Sequence, residues 1–370
     1  MKISEAHIKI LQNILGDFSY SNESNIYQNG TRVKVERESL PVPQLVFFLL
    51  NKMMEYKMGQ RYNKMRWILY FLYKNKKCAI TLEKFGLRLY LENKEDSKNI
   101  IKQINKAINY IEKKILQDYA KKQMKSGNLT ISNHFNMLSN MYYFFREEAK
   151  EIYAKKEPDL DIHNMPSFLN SLLVKNYIGF YYSFSMIEAY FSRFEHFLIY
   201  CLFFNNRNKA KDIYDFYNKD FFKKFREVFP LDIKENKLFY DEIIIIKEKY
   251  RNTFSHGMFG KNGESFCFQL DNAGVIPANL SKSKDSLHFN FVPMDNIKYK
   301  EICEQFDKID NWLKLKSSQF AWKYAESGLS LSFTDEFYNR VFSYLGTIED
   351  FQEFIRVEEI YNDMIENADY

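Results

Sequence analysis

Apolar positions along this chain recur mostly at helical intervals. Residues 3 to 16 place Ile3, Ile8, Ile10, Leu11 and Leu15 at mixed helical spacings, and the polar stretch from Ser19 to Arg37 that follows reads as a loop or hairpin. Pro41 and Pro43 then precede Leu45 to Tyr73, whose apolar and aromatic positions, broken at Gly59, predict one bent helix or two packed ones. Between Asn93 and Lys125, Ile101, Ile104, Ile108, Ile111 and Ile115 stand three and four residues apart, with Lys102, Lys106 and Lys113 mostly on the other side. That spacing predicts a long amphipathic helix with a basic, solvated face. From Glu157 to Pro166 the segment EPDLDIHNMP interrupts the pattern with two prolines and several acids, and a domain boundary is expected there. Glu157, Asp159, Asp161 and His163 are close enough to suggest metal ligands. No glycine closes a loop among them, however, and a turn-rich acidic linker accounts for the segment.

Phe168 to Phe204 reads as a nearly continuous aromatic helix or a helix pair. KDFFKKFREVF, which begins at Lys219, alternates Phe221, Phe222 and Phe225 with Lys223, Lys224 and Arg226; Pro230 ends it, and another helix runs from Asn236 to Tyr250. After Gly257 and Gly260 the period changes to two. Phe266, Phe268 and Leu270 form one run and Leu287, Phe289 and Phe291 another, which predicts a β-hairpin with a long loop. Helical pattern resumes near Asp295 and continues through Trp312 and Trp322, and a last helical stretch covers Phe333 to about Ile365. The expected fold is mainly α. A helical N-terminal domain would occupy residues 1–160, a helical domain residues 161–330 with a β-hairpin near 264–292, and a C-terminal helical extension residues 331–370.

Composition supports that class and narrows the function. Only 12 Gly and 7 Pro are spread over 370 residues, and neither GxGxxG nor GxxxxGK[ST] occurs, which argues against a nucleotide-binding α/β fold. The net charge of +5, from 53 basic and 48 acidic residues, permits a polyanionic partner without demanding one. Cys78, Cys201, Cys267 and Cys303 stand far apart with no CxxC pair, so neither a zinc site nor a disulfide framework is suggested, and a reducing cytoplasm is the expected compartment. The first residues carry Glu5 and His7 and lack the apolar core of a signal peptide. Apolar runs such as Leu45 to Leu50 end long before the ~18 residues that a membrane span requires, so no membrane association is expected.

One local sequence stands above the rest. KEKYRNTFSHGMFG places Arg251, Asn252 and His256 at the end of a predicted helix, with Gly257 suited to the left-handed turn that closes it. If the helix persists, Asn252 and His256 share a face and the Arg251 guanidinium reaches toward the same end. A histidine on the last turn meets the negative end of the helix dipole, which favours its protonated form and suits it to proton transfer. RNA cleavage needs little more, because the substrate carries its own nucleophile in the 2′-hydroxyl. His256 would act as general base or acid, Arg251 would hold the non-bridging oxygens as charge builds, and Asn252 would orient the imidazole or a phosphate oxygen. One such set supplies one histidine. Two copies facing each other across a homodimer would complete the acid–base pair.

The stretch RNTFSHG, behind the aromatic helical segment from Phe168 to Phe204, resembles the signature of the HEPN superfamily. RNase members of that family carry Arg, four to six residues, then His, and the residue after the Arg is often Asn, as Asn252 is. The likeness spans roughly Pro166 to Ser327. It implies a helical bundle that dimerises so that two motifs form one composite, metal-independent RNase site with no cofactor, in a protein of antiviral defence, abortive infection or a toxin and antitoxin pair. By resemblance Arg251 and His256 are the catalytic pair and Asn252 their support. Glu188, on the preceding helix, resembles a polar residue that some members place near the motif. The expected partners are RNA, a second copy and a phage or antitoxin protein. Met258 stands where a subset of the family has a Tyr that an antitoxin modifies, a departure that weighs against that form of regulation. A non-catalytic HEPN-like module that binds RNA or protein is the alternative.

Other residues carry less. Lys219, Lys223, Lys224 and Arg226 are candidate RNA contacts, against the plainer reading of an amphipathic helix with phenylalanines inside and lysines in solvent. Ser255 is at most a supporting hydroxyl, since adjacent helical side chains diverge. His196 follows Glu195 within the aromatic helix and reads as structural, although a position facing the motif would make it a second proton carrier. His288, His134 and His7 form no metal pair. Without a role at the site, Arg251 would pair with Glu248 or Asp241.

Overall fold

A computed structural model describes residues 4–22, 26–60, 65–156, 165–205, 213–252, 267–271, 274–277 and 294–367. The chain divides into one unit of Met1–Met124 with Ile360–Tyr370 and a second of Lys125–Glu359. Helix dominates, as expected, but the first unit is built on a sheet that the sequence pattern conceals.

In unit 1, α1 (Glu5–Ile14), β1 (Phe18–Tyr20), α2 (Ile26–Asn29) and β2 (Thr31–Lys34) precede α3 (Pro43–Phe47), which runs into a π-helical turn over Phe48–Met53. Three strands follow, β3 (Met65–Tyr73), β4 (Lys76–Glu83) and β5 (Gly86–Leu91). The expectation that Leu45 to Tyr73 is helical throughout is therefore corrected: its last part, Met65–Tyr73, is an inner strand of a five-stranded sheet of order β1-β3-β4-β5-β2, with all pairings antiparallel. Lys74 and Asn75 both take positive φ, 51° and 62°, as the two-residue turn of a tight hairpin requires. The helical expectation fails because β3 is buried on both faces. Trp67, Leu69, Phe71 and Tyr73 belong to one apolar cluster and Met65, Ile68 and Tyr70 to another, so the alternation that marks a half-buried strand disappears. On the first face lies α4 (Ser97–Ile111), extended by a π-helical turn (Glu112–Leu116) and α5 (Gln117–Lys125). Ile104, Ile108, Ile111 and Ile115 are buried in that cluster while Lys102, Lys106 and Lys113 are exposed, the amphipathic division read from the spacing.

The boundary expected near residue 160 is corrected as well. The division falls between Met124 and Lys125, and the acidic segment it was read from lies largely outside the described residues, between two helices of the same unit. These are α6 (Phe135–Ala154) and α7 (Met165–Asn205), a 41-residue helix where one helix or a pair was expected. They run antiparallel: Phe135, at the start of α6, lies against Phe197, and Tyr153, at its end, approaches Gly179 and Ser183. Bulky apolar faces on both sides of the linker hold each other, and that burial overrides the local punctuation of prolines and acids.

The rest of unit 2 surrounds α7. After α8 (Ile213–Tyr217) come α9 (Phe221–Val228) and α10 (Lys234–Ile246), the last continuing into a π-helical turn over Lys247–Asn252. Strands β7 (Cys267–Leu270) and β8 (Gly274–Pro277) pair as a hairpin whose second strand begins just after the first. The run Leu287 to Phe291, expected to be that second strand, lies outside the described residues. Then follow α11 (Asn296–Trp312), a π-helical turn (Leu313–Ser317), α12 (Gln319–Ser327), α13 (Asp335–Phe342) and α14 (Ile348–Asn367), the last of which belongs to unit 1 from Ile360 onward, with the two-residue strands β6 (Thr130–Ile131) and β9 (Leu331–Ser332) pairing between distant parts of unit 2. Aromatic rings fill the centre: Tyr190 stacks on Phe306 at 3.6 Å between centroids, and Trp322 meets both Phe135 and Phe197.

Candidate functional site

Along α7, Glu188, Phe191 and Glu195 recur at intervals of three and four, so they share one face. α9 and the π-helical turn after α10 lie against that face. Phe191 meets the edge of Phe221 at 5.4 Å, and Phe194 meets Phe221 and Phe225, which fixes α9 across α7. Asp220 caps α9 by accepting a hydrogen bond from the Lys223 N–H at 2.9 Å.

On this aromatic floor stands Arg251. Its Nε donates to Glu188 Oε2 at 3.0 Å, and its guanidinium lies 5.5 Å from the centroid of Phe191. The structure thus joins two of the candidates read from the sequence, on helices 63 residues apart, and replaces Glu248 and Asp241 with Glu188 as the partner of the arginine. Both side chains are partly exposed, at 23% and 31%, which leaves the pair open to an incoming ligand. Nε makes that contact, and the guanidinium carries two further amino groups of the kind that bind phosphate oxygens. Arg251 and Asn252 are the last two residues of a π-helical turn, a widened geometry frequent at functional sites. Ser255 and His256 lie outside the described residues.

Next along the turn is Lys247, a residue that reading the sequence passes over. Its ammonium lies 4.6 Å from the centroids of both Phe221 and Phe222, and burial together with the nearby Arg251 charge pushes it down to about 8. The only signal for it in the sequence is its place four residues before Arg251, within one helical turn.

The candidate RNA contacts on α9 are mostly engaged. Lys219 pairs with Glu227, and Lys223 with Asp220 at 3.0 Å. Lys224 is buried rather than solvated, its ammonium held by Glu195 at 2.6 Å, because it falls on the same helical face as Phe221 and Phe225. Arg226 donates to the Phe222 carbonyl at 3.3 Å and remains exposed. His196 accepts from the His134 backbone N–H at 3.1 Å, at the start of α6, and burial lowers it to about 4. It is turned to α6 rather than to Arg251. His7 contacts Tyr110 at 2.7 Å in unit 1. A cleft of about 640 Å³ in unit 1, lined in part by Arg37, Arg66 and the exposed Phe85, holds none of the candidates. No helix among the described residues is long and apolar enough to cross a membrane.

Compared with protein-family models, curated proteins and solved structures, the chain finds no match.

Proposed function

We propose that the protein is a metal-independent endoribonuclease of HEPN type, which acts as a homodimer with a composite site and serves antiviral defence, abortive infection or a toxin function. The observation that carries this reading is the Arg251–Glu188 pair: a guanidinium oriented by a carboxylate, partly exposed, at the end of the helix that leads into RNTFSHG. In this mechanism an RNA 2′-hydroxyl attacks the adjacent phosphorus. His256 takes the 2′-hydroxyl proton, the terminal amino groups of Arg251 bind the non-bridging oxygens, and the P–O bond to the 5′-oxygen breaks to give a 2′,3′-cyclic phosphate and a 5′-hydroxyl. His256 of the second copy protonates the leaving oxygen. Glu188 holds the guanidinium in place, and Asn252 supports the motif. His256 enters on the sequence alone.

The test is incubation of the purified protein and its His256→Ala and Arg251→Ala variants with total RNA and a labelled oligonucleotide, with and without EDTA. The expected outcome is EDTA-resistant cleavage with cyclic phosphate ends by the wild type, reduced about a hundredfold or more in either variant. Equal inertness of three folded proteins favours the other reading, a non-catalytic RNA- or protein-binding module in which Arg251 and Glu188 only tie two helices together.

A further inference from the structure

On the face that carries Arg251 four cations meet three carboxylates. Arg251 is bonded to Glu188, Lys224 to Glu195 and Lys223 to Asp220, which leaves Lys247 as the fourth cation. Among the described residues no carboxylate lies at ion-pair distance from its ammonium; the faces of Phe221 and Phe222 hold it instead, at 4.6 Å each. A half-buried ammonium loses hydration, and two rings restore only part of it. The group therefore stands ready for an anion that displaces no internal acid. Phe222 is partly exposed beside it, so a cation and a ring are offered side by side, the combination on which single-stranded nucleic acid is held by its phosphates and stacked bases.

We propose that Lys247 is a substrate-contacting residue that, with the terminal amino groups of Arg251, grips a phosphodiester of single-stranded RNA. The proposal rests on reading this face as an RNA site and names the group that holds the strand. It carries a pH signature. The groups that face the ammonium are Arg251 on its own turn, Glu188 and Glu195 on α7, and Asp220 at the start of α9; burial and Arg251 favour the neutral amine, and the three acids oppose them. Lys247 is charged below about 8 and neutral above it, so affinity for RNA falls as pH rises through that value.

The experiment measures binding of a fluorescent, single-stranded 2′-O-methyl oligonucleotide, which has no free nucleophile, to full-length wild type, Lys247→Met and Lys247→Arg between pH 6.5 and about 9.5 and at several salt concentrations, with folding checked by circular dichroism. Lys247→Met is expected to bind about tenfold more weakly at pH 7, to lose roughly one phosphate contact from the salt dependence, and to lose the decline in affinity above about 8. Lys247→Arg is expected to bind at pH 7 like the wild type and to keep that affinity to the top of the range. Wild-type affinity and pH profile in folded Lys247→Met overturn the proposal, as does a wild type that binds no oligonucleotide. Cleavage of unmodified RNA is followed in parallel. Cleavage that survives Lys247→Met and vanishes in His256→Ala retires Lys247 and keeps the nuclease; binding that depends on Lys247 in a protein that never cleaves does the reverse.

Discussion

Arg193 carries its charge into a place with almost no water. One of its amino groups donates to both oxygens of Asp310, at 2.6 and 2.7 Å, Tyr190 donates to the same carboxylate at 3.2 Å, and the faces of Tyr142 and Tyr190 lie within 5 Å of the guanidinium carbon. Burial pushes the Asp310 carboxyl above its ordinary range even though Arg193 pulls the other way. Asp310→Asn leaves the guanidinium buried without its counter-charge and is expected to cost about 3–5 kcal/mol of stability, measured by urea denaturation. Arg251 is the opposite case. Its pair with Glu188 is partly exposed, so Arg251→Ala is expected to cost under about 1 kcal/mol, and the loss of cleavage it causes is then separable from unfolding. At this scale the sequence is only half legible. Arg251 and Glu188 are singled out by a resemblance, whereas Lys247 looks like any solvated lysine of a KEKY stretch until Phe221 and Phe222 are placed beside it.

At the scale of elements, helices are the legible part. The isoleucine ladder of α4 follows from spacing, because it presents one apolar face to a single core, and α7, buried all round from Phe197 to Phe203, follows from the length of its aromatic run. β3 escapes because its two faces meet two cores, and a run such as MRWILYFLY suits a buried helix as well as a buried strand. Its aromatic content and the Lys74–Asn75 turn are the signals that distinguish the two. The close approach of α6 to α7 has a testable consequence. A Cβ at Gly179 would lie 2.6–2.7 Å from ring atoms of Tyr153, whose hydroxyl is held by the Met294 carbonyl at 3.1 Å, so the ring cannot swing aside freely. Alanine gains about 1 kcal/mol of helix propensity over glycine, but overpacking costs about 1–3 kcal/mol, and Gly179→Ala is expected to lower stability on balance, by about 1 kcal/mol in thermal or urea unfolding.

Over the whole molecule, each unit has its own interior. The sheet and its helices in unit 1 enclose two apolar clusters between Leu11 and Ile115, and the aromatic cluster of unit 2 runs from Phe135 to Ile355, with no residue shared. Separate cores give separate unfolding reactions. Leu69→Ala, in the sheet, is expected to lower the stability of unit 1 by about 2–5 kcal/mol and to shift one calorimetric transition, while the transition that belongs to unit 2 and its Arg251 site stays in place. The position of that division is hidden in the sequence because the strongest punctuation, the prolines and acids after Lys156, falls inside a unit.

The π-helical turn that bears Arg251 changes how spacing along the chain becomes direction in space. An α-helix advances about 100° per residue, so two residues five apart point roughly 140° away from each other. With i→i+5 bonding and roughly 4.4 residues per turn, the same count brings them within about 50°. Lys247 and Asn252, the first and last residues of this turn, are five apart. An α-helical wheel sets them on nearly opposite sides, and the wider coil carries Asn252 round to the side of the lysine. Counting residues thus misleads about direction within this turn, since a wheel drawn from the sequence separates Lys247 and Asn252 and the widened coil sets them on one side.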